Sequence, residues 1–404
     1  MDLQLPSSRS RTVSYATVAT LITFFVEGAM LASFLSRIPT LRDVLELSPS
    51  QMGTLLLIGA CGAVVSLPAS GPIVGRFGPR NTVWASFAIW TLGMIGLITA
   101  FELGSVFLFA VFLFVMQSGT SLGNSTMNVE SGYVELLAKR PIIPWFHAAF
   151  SIGTVIGAAT GALVLYCDID FAVHLAVVIV IANALMVWAG RNYIPQPIID
   201  AMTVDDANNA ARSKRAWRER RTVLAGVIVF GTGLMEGGAN DWLALSMVDG
   251  FHMTSARGTA VLAMFLFVLT LTRILSPKLL LRWPADRVLR VLLSGSIIGL
   301  VMVSVSPWIA PAILAVALWA MGAALGFPIA ASVLSKEPAM AAARMAVMST
   351  LGYGAFLAGP PIIGYIAEYV GYRHALIIIT IPVMISALLT PILRTPHNSG
   401  ARRR

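Results

Sequence analysis

The sequence predicts an all-α membrane protein of twelve transmembrane helices, arranged as two six-helix, pseudo-symmetric bundles. Three observations carry that prediction: an apolar composition too rich for one soluble core, twelve apolar runs of bilayer length, and a repeat of distinctive positions on either side of one central polar segment. Of 404 residues, 57% are apolar and only 12% are charged, which is more apolar surface than a single soluble core can hide. The formal net charge of +9 would suggest nucleic acid in a soluble domain. Here the basic residues lie in short segments between apolar runs, which is a topology signal, so no nucleic acid partner is expected. Cys61, inside a run, and Cys167, near a loop, make neither a disulfide framework nor a metal pattern. No cofactor or metal is expected.

In chain order the runs fall at about 13–36, 50–74, 81–101, 105–134, 144–166, 171–189, 222–247, 256–281, 288–306, 311–334, 343–367 and 374–393. Each is close to the ~20 residues that a helix needs to cross a hydrocarbon core. The segment before the first run is polar, with Arg9 and Arg11, and the run lacks a small-residue cleavage site. It reads as a retained first span rather than a signal peptide. Lysine and arginine concentrate in alternate loops, at Arg76, Arg80, Lys139, Arg140, Lys278, Arg282 and the tail Arg402-Arg403-Arg404. The opposite loops hold only Arg37, Arg42, Arg257 and Arg373, an asymmetry that predicts cytoplasmic termini.

The long polar segment divides the chain into a six-helix bundle at 1–190, a cytoplasmic linker at 191–221, and a second six-helix bundle with a basic tail at 222–404. The linker carries Pro195, Pro197, Asp200, Asp205 and Asp206, then a basic cluster from Arg212 to Arg221. That cluster suits a positive-inside determinant, and it also suits anionic lipid headgroups.

The two halves echo one another. Glu27-Gly28 in the first run is matched by Glu236-Gly237 in the seventh. Ser48-Pro49-Ser50-Gln51, with the form of a capping box and a proline at the first helical position, opens the second run, and Thr254-Ser255 opens the eighth. Gly119, Leu122 and Gly123 find Gly322, Leu325 and Gly326.

Charged residues within the runs are the candidate functional groups, because a charge at the bilayer centre costs roughly 2.5–3.5 kcal/mol and more on other scales. Glu27 and Glu236 lie about 21 Å into their helices at 1.5 Å per residue. Both are candidate proton carriers facing a shared cavity, with a neutral, hydrogen-bonded structural acid as the alternative. One turn beyond Glu236 come Asn240 and Asp241; Asp241 suits a gate or proton role or a plain structural pairing. Trp242 suits either stacking on a sugar-like ring or anchoring at the interface. Asn124 and Asn128, four residues apart, project from one helical face and suit a hydroxylated ligand, or bonding between helices. Glu130 and His147 fall toward the cytoplasmic ends of their runs and form a candidate inner gate. Arg273, the basic residue well inside the eighth run, is expected to pair with a carboxylate or with carbonyls. Gly153, Gly157 and Gly161 permit a close helix contact, and Gly359-Pro360-Pro361 permits a bend.

The 6+6 repeat, the basic central loop and the cytoplasmic ends resemble the major facilitator superfamily. Its helix 2–3 loop signature, G-x-x-x-D-R-x-G-x-R, is recognisable as Gly71-Pro72-Ile73-Val74-Gly75-Arg76-Phe77-Gly78-Pro79-Arg80. The acid position is Gly75, so the acid-based latch of that family is not expected here, although Gly71, Arg76, Gly78 and Arg80 remain. Within the superfamily, the stretches Ser121–Glu130, Phe146–Gly153 and Glu236–Trp242 resemble the fucose-permease-like group and its YbjJ/MosC-like bacterial permeases.

The resemblance implies alternating access between two halves in a bacterial cytoplasmic membrane. The partners it implies are a small polar, sugar-like or cyclitol-like solute, protons and lipids, and the transporter is expected to act as a monomer. Proton-driven export of amphipathic compounds is the alternative, weakened by the lack of the antiporter-signature proline in the fifth run. A membrane-embedded enzyme or sensor would call for a metal cluster, paired loop acids or a large extramembrane domain, and these loops are short and plain.

Overall fold

The computed structural model describes residues 7–200 and 209–394; Asp205, Asp206 and the Arg402-Arg403-Arg404 tail lie outside the described residues. The first half of the sequence forms α1 (Ser7–Leu35), α2 (Ile38–Val44), α3 (Pro49–Glu102), α4 (Val106–Ala138), α5 (Ile143–Tyr166) and α6 (Phe171–Arg191). Two short helices follow, α7 (Gln196–Asp200) and α8 (Asn209–Arg218). The second half forms α9 (Arg220–Phe251), α10 (Ser255–Arg282), α11 (Ala285–Val305), α12 (Ile309–Ala323), α13 (Gly326–Leu334), α14 (Pro338–Ala375) and α15 (Thr380–Leu389).

Among the described residues, ten helical stretches are long and apolar enough to cross a membrane. Two of them, Pro49–Glu102 and Met340–Leu393, hold 54 residues each, about 80 Å at 1.5 Å per residue, and so must cross twice. Each turns at a glycine of positive φ, Gly78 (76°) in α3 and Gly371 (79°) in α14. With ψ of 161° and 156°, both lie in a backbone region that is essentially restricted to glycine and costs other residues roughly 1–3 kcal/mol, which accounts for glycine at both turns. Twelve crossings result, as the apolar runs predict.

Local chemistry sets several helix ends. Ser48 Oγ accepts from Gln51 N at 3.4 Å and Gln51 Oε1 accepts from Ser48 N at 2.9 Å, the capping box expected from the sequence, with Pro49 at the first helical position. Glu135, on the last turn of α4, accepts from Ile142 N and Ile143 N at 2.8 and 2.9 Å and so caps α5 from the preceding helix. Asp170 Oδ1 accepts from Ala172 N and Val173 N to start α6.

Contacts divide the chain into two compact units. The first holds Met1–Asp205, Ala239–Thr270 and Pro360–Ala375. Within it α1 and α5 meet along a glycine seam: a Cβ on Gly28 would overlap the carbonyl of Phe150, one on Gly153 that of Phe25, and one on Gly157 that of Ala29. Phe24, Met127, Phe146, Ile194 and Ile199 close an apolar cluster between α1, α4, α5 and the segment after α6.

The second unit holds Asp206–Gly238, Leu271–Gly359 and Leu376–Arg404. In it Ser296 Oγ of α11 donates to the carbonyls of Leu318 and Trp319 in α12 at 3.0 Å. Arg344 of α14 reaches Glu219 Oε2 at 2.6 Å and Glu337 at 2.8 Å. The Arg344 guanidinium, the first of several causes, holds the Glu219 carboxyl below the usual carboxylate range. Arg394 pairs with Asp286 at 2.7 Å.

Candidate functional site

In the second unit, three helical elements converge on one ion pair. Arg273 Nη2 of α10 donates to Glu236 Oε2 of α9 at 2.8 Å, and Arg273 Nε donates to the carbonyl of Ala324 at 3.1 Å. Ala324 has that carbonyl to offer because the tenth run is broken: α12 ends at Ala323, Leu325 leaves the helical line at φ −112° and ψ −5°, and α13 begins at Gly326. Helix breaks at membrane depth persist only where protein or water satisfies the freed backbone groups. Thr232, one turn before Glu236, packs on Gly326 so closely that a Cβ there would overlap its hydroxyl. Glu236 is thus paired with Arg273, which engages a carboxylate and a carbonyl together.

The first unit holds the other candidate acids. Glu27 is 2% exposed, with Oε1 against Gly123 of α4, where a Cβ would displace it. Nearby in sequence, Thr23 accepts from Tyr193 OH at 3.0 Å. Glu130 is fully buried: Oε1 accepts from Ile194 N at 2.7 Å, while Oε2 meets no hydrogen-bond partner among the described residues. Glu130 therefore turns to the segment after α6 and not to His147, whose ring stands edge-on to Phe24 with centroids 5.2 Å apart. Asn128 Nδ2 donates to the Asn124 carbonyl at 2.7 Å and to its side-chain oxygen at 3.2 Å, so the two amides do share a face.

Asp241 is partly exposed and has no ion-pair partner among the described residues, and Asn240 Oδ1 is buried without a hydrogen bond. Trp242 is fully buried and stacks on Tyr372 with centroids 5.5 Å apart, so its ring lies neither at the lipid interface nor open to solvent.

At the helix 2–3 signature, a Cβ on Gly71 or Gly75 would meet nothing within 4 Å, and Gln196 Oε1 lies against Gly78. Gly71, Gly75, Tyr133 and Gln196 are among the residues lining a cavity of about 240 Å³ at the place where the signature acid is missing. Arg76 sits over the ring of Phe77 at 5.4 Å and Arg80 over that of Trp84 at 4.8 Å, so aromatic faces take up both cations.

Three polar contacts in the first unit are invisible in the sequence. Arg42 grips Asp249 with both terminal nitrogens at 2.6 and 2.8 Å and lies 5.7 Å over Tyr372. Glu368 accepts from Ser50 N at 3.0 Å, and Thr259 donates to the Ser36 carbonyl at 3.2 Å. Each joins an early residue to one more than 200 positions later, and no local pattern marks such a pair. Arg37, whose Nε donates to His174 and whose Nη2 donates to the carbonyls of Ile169 and Asp170, is equally hidden.

Twelve crossings, a buried Glu27 and, at the corresponding position of the second repeat, a part-exposed Glu236 paired with Arg273 at a broken helix point to a multi-pass membrane transporter. Residues 20–357 match the Major Facilitator Superfamily, and the chain belongs to that family. It is similar to the membrane protein MosC of Rhizobium meliloti, 24% identical over 383 residues, spanning 93% of this chain and 89% of that protein. It is also similar to an uncharacterized transporter, y4wD, of Sinorhizobium fredii, at 24% identity over 92% of this chain and 96% of that one. Among solved structures, the nucleoside transporter NupG superposes with a TM-score of 0.72 at 14% identity, over 95% of this chain and 98% of that one. The D-xylose-proton symporter superposes with a TM-score of 0.74 at 12% identity, over 94% and 97%. FucP in its outward conformation gives 0.63 at 15% identity, over 95% and 100%. These likenesses fix the fold.

Proposed function

We propose that the protein carries a small polar, sugar-like or cyclitol-like solute across the bacterial cytoplasmic membrane by proton-coupled symport, with both termini cytoplasmic and the monomer as the working form. The two sequence halves, 1–190 and 222–404, act as the alternating repeats. The observation that carries this reading is the Glu236–Arg273 pair at the α12–α13 break, a carboxylate and its counterion held at membrane depth. The likeness to the nucleoside transporter NupG, the D-xylose-proton symporter and the fucose:proton symporter FucP supports a hydroxylated solute, and two of these three are proton symporters. Asn124 and Asn128, sharing one face, supply amides that both donate and accept to hydroxyls, and Asn240 adds another. Glu27 and Asp241 complete the set of acids through which a proton is handed on.

Accumulation of labelled solute in proteoliposomes under an inward proton gradient tests the reading. Glu236→Gln should abolish gradient-driven accumulation while equilibrium binding survives; concentrative uptake equal to that of the unaltered protein would refute the role of Glu236. Solute leaving vesicles as protons enter would replace symport by export.

A further inference from the structure

The Glu236–Arg273 pair has spare capacity on the arginine. A guanidinium has five N–H donors, and here Nε is taken by the Ala324 carbonyl and Nη2 by Glu236 Oε2. Nη1 makes no hydrogen bond or ion pair among the described residues. The two side chains are 28% and 25% exposed, so solvent-sized space reaches them. Arg273 lies nine residues before the end of α10 at Arg282, about 13 Å at 1.5 Å per residue, inside an apolar span. A half-satisfied cation at that depth facing lipid would be costly, so the exposure opens onto water.

The surroundings give this space a shape. Gly237, beside Glu236, lies so near Phe356 that a Cβ there would sit 3.1 Å from the ring, and Phe356 is itself 39% exposed. The broken helix supplies Ala324 and Gly326, and α9 supplies Thr232. Among the described residues, no other charged side chain forms an ion pair with Arg273 or Glu236. A neutral polyol needs no cation for recognition, since hydroxyls and amides suffice. A planar fork with one edge already satisfied and the other open is suited to a second oxyanion.

We propose that the transported solute is a hydroxylated carboxylic acid, and that its carboxylate binds the open Nη1 edge of Arg273 opposite Glu236. Glu236 then acts as the resident counterion that keeps the arginine in place when the site is empty. The solute's carboxylate joins Glu236 on the same guanidinium, and its hydroxylated body lies toward the Phe356 ring. This deepens the symport reading and rests on it.

The test uses the full-length protein in nanodiscs, without any variant that might fail to fold. Phenylglyoxal modification of Arg273, followed by peptide mass spectrometry, is timed in the presence of matched pairs: D-glucuronate with D-glucose, D-gluconate with sorbitol, and quinate with myo-inositol. A charge-assisted bond predicts roughly tenfold stronger protection by at least one acid than by its neutral partner. Labelling of Arg257, remote in the sequence, serves as the control and should be unchanged. Three results overturn the proposal: Arg273 that never labels, Arg273 that labels equally in all six solutions, or protection by a neutral member equal to that by its acid.

Glu236→Gln, which removes the resident negative charge, should raise the protecting acid's affinity; an unchanged or weaker affinity would refute the shared-arginine geometry. The same six compounds are offered to proteoliposomes under a proton gradient. An acid that protects Arg273 without being accumulated leaves the anion site standing and removes the transport reading. Accumulation of a neutral partner with Arg273 unprotected keeps transport and overturns the anion site.

Discussion

Breaking the grip of Arg42 on Asp249 should weaken the first unit more than the loss of an ordinary surface ion pair. Solvent-exposed pairs contribute about 0.2–1 kcal/mol. This one is bidentate, at 2.6 and 2.8 Å, and the Arg42 side chain is only 16% exposed against 39% for Asp249. Fork geometry and partial desolvation raise the expected coupling to about 1–2 kcal/mol. The single variants should differ. Asp249→Ala leaves Arg42 with Asp43 at 2.6 Å and with the Tyr372 ring at 5.7 Å, so its cost should approach the coupling alone. Arg42→Ala loses all three contacts and the packing of the aliphatic stem, for a total of about 2–3 kcal/mol. A double-mutant cycle read by equilibrium unfolding in micelles isolates the pair. The coupling should shrink as salt is raised, because part of the pair faces solvent. Additivity of the two single variants within about 0.3 kcal/mol would refute the argument.

Other expectations concern the glycines and one surface acid. Gly157→Leu forces side-chain atoms into the backbone of Ala29 and should cost more than about 3 kcal/mol, read as loss of folded protein on size-exclusion chromatography. Gly75→Ala meets open space and should stay within about 0.5 kcal/mol of the unaltered protein in thermal unfolding, or gain slightly from reduced unfolded-state entropy. Glu219 has a depressed folded-state pKa, so its pairing with Arg344 contributes stability that is fully present above the unfolded carboxylate value and is lost as pH falls through the folded one. Unfolding midpoints taken from pH 6 downward should therefore fall less steeply in Glu219→Gln than in the unaltered protein; identical slopes would remove Glu219 as a source.

Much of the architecture is legible in one dimension because apolar length is a local property. All twelve runs coincide with helical crossings, and the Ser48–Gln51 capping box forms as its spacing requires. The runs at 50–74 and 81–101 suggest two helices with a loop between, and two helices are found, meeting at the non-helical Gly78 with no longer loop between them. A two-residue change of direction leaves almost no polar interval to read. Charged residues within apolar runs also stand out, so Glu27, Glu236 and Arg273 are visible early. Their partners are not: the Ala324 carbonyl is free at a break between two apolar stretches, Ile309–Ala323 and Gly326–Leu334, where Pro328, four residues on, has no N–H to donate to it; the proline marks the break but not the side chain that fills it. Arg42 reads as a loop charge that sets topology, and Glu130 as half of a gate with His147; the fold assigns one to Asp249 and the other to the backbone of Ile194.

The glycine seam between α1 and α5 has a mechanical consequence. Helices separated by side chains can slide by exchanging rotamers, but backbones that touch at Gly28, Gly153 and Gly157 have no such play. The pair is then a single stiff plank, and Glu27, one residue from the seam, rides on it at a fixed height. Any movement of α5 must therefore carry this carboxyl with it, so the position of the Glu27 side chain is set by helix travel rather than by its own swing.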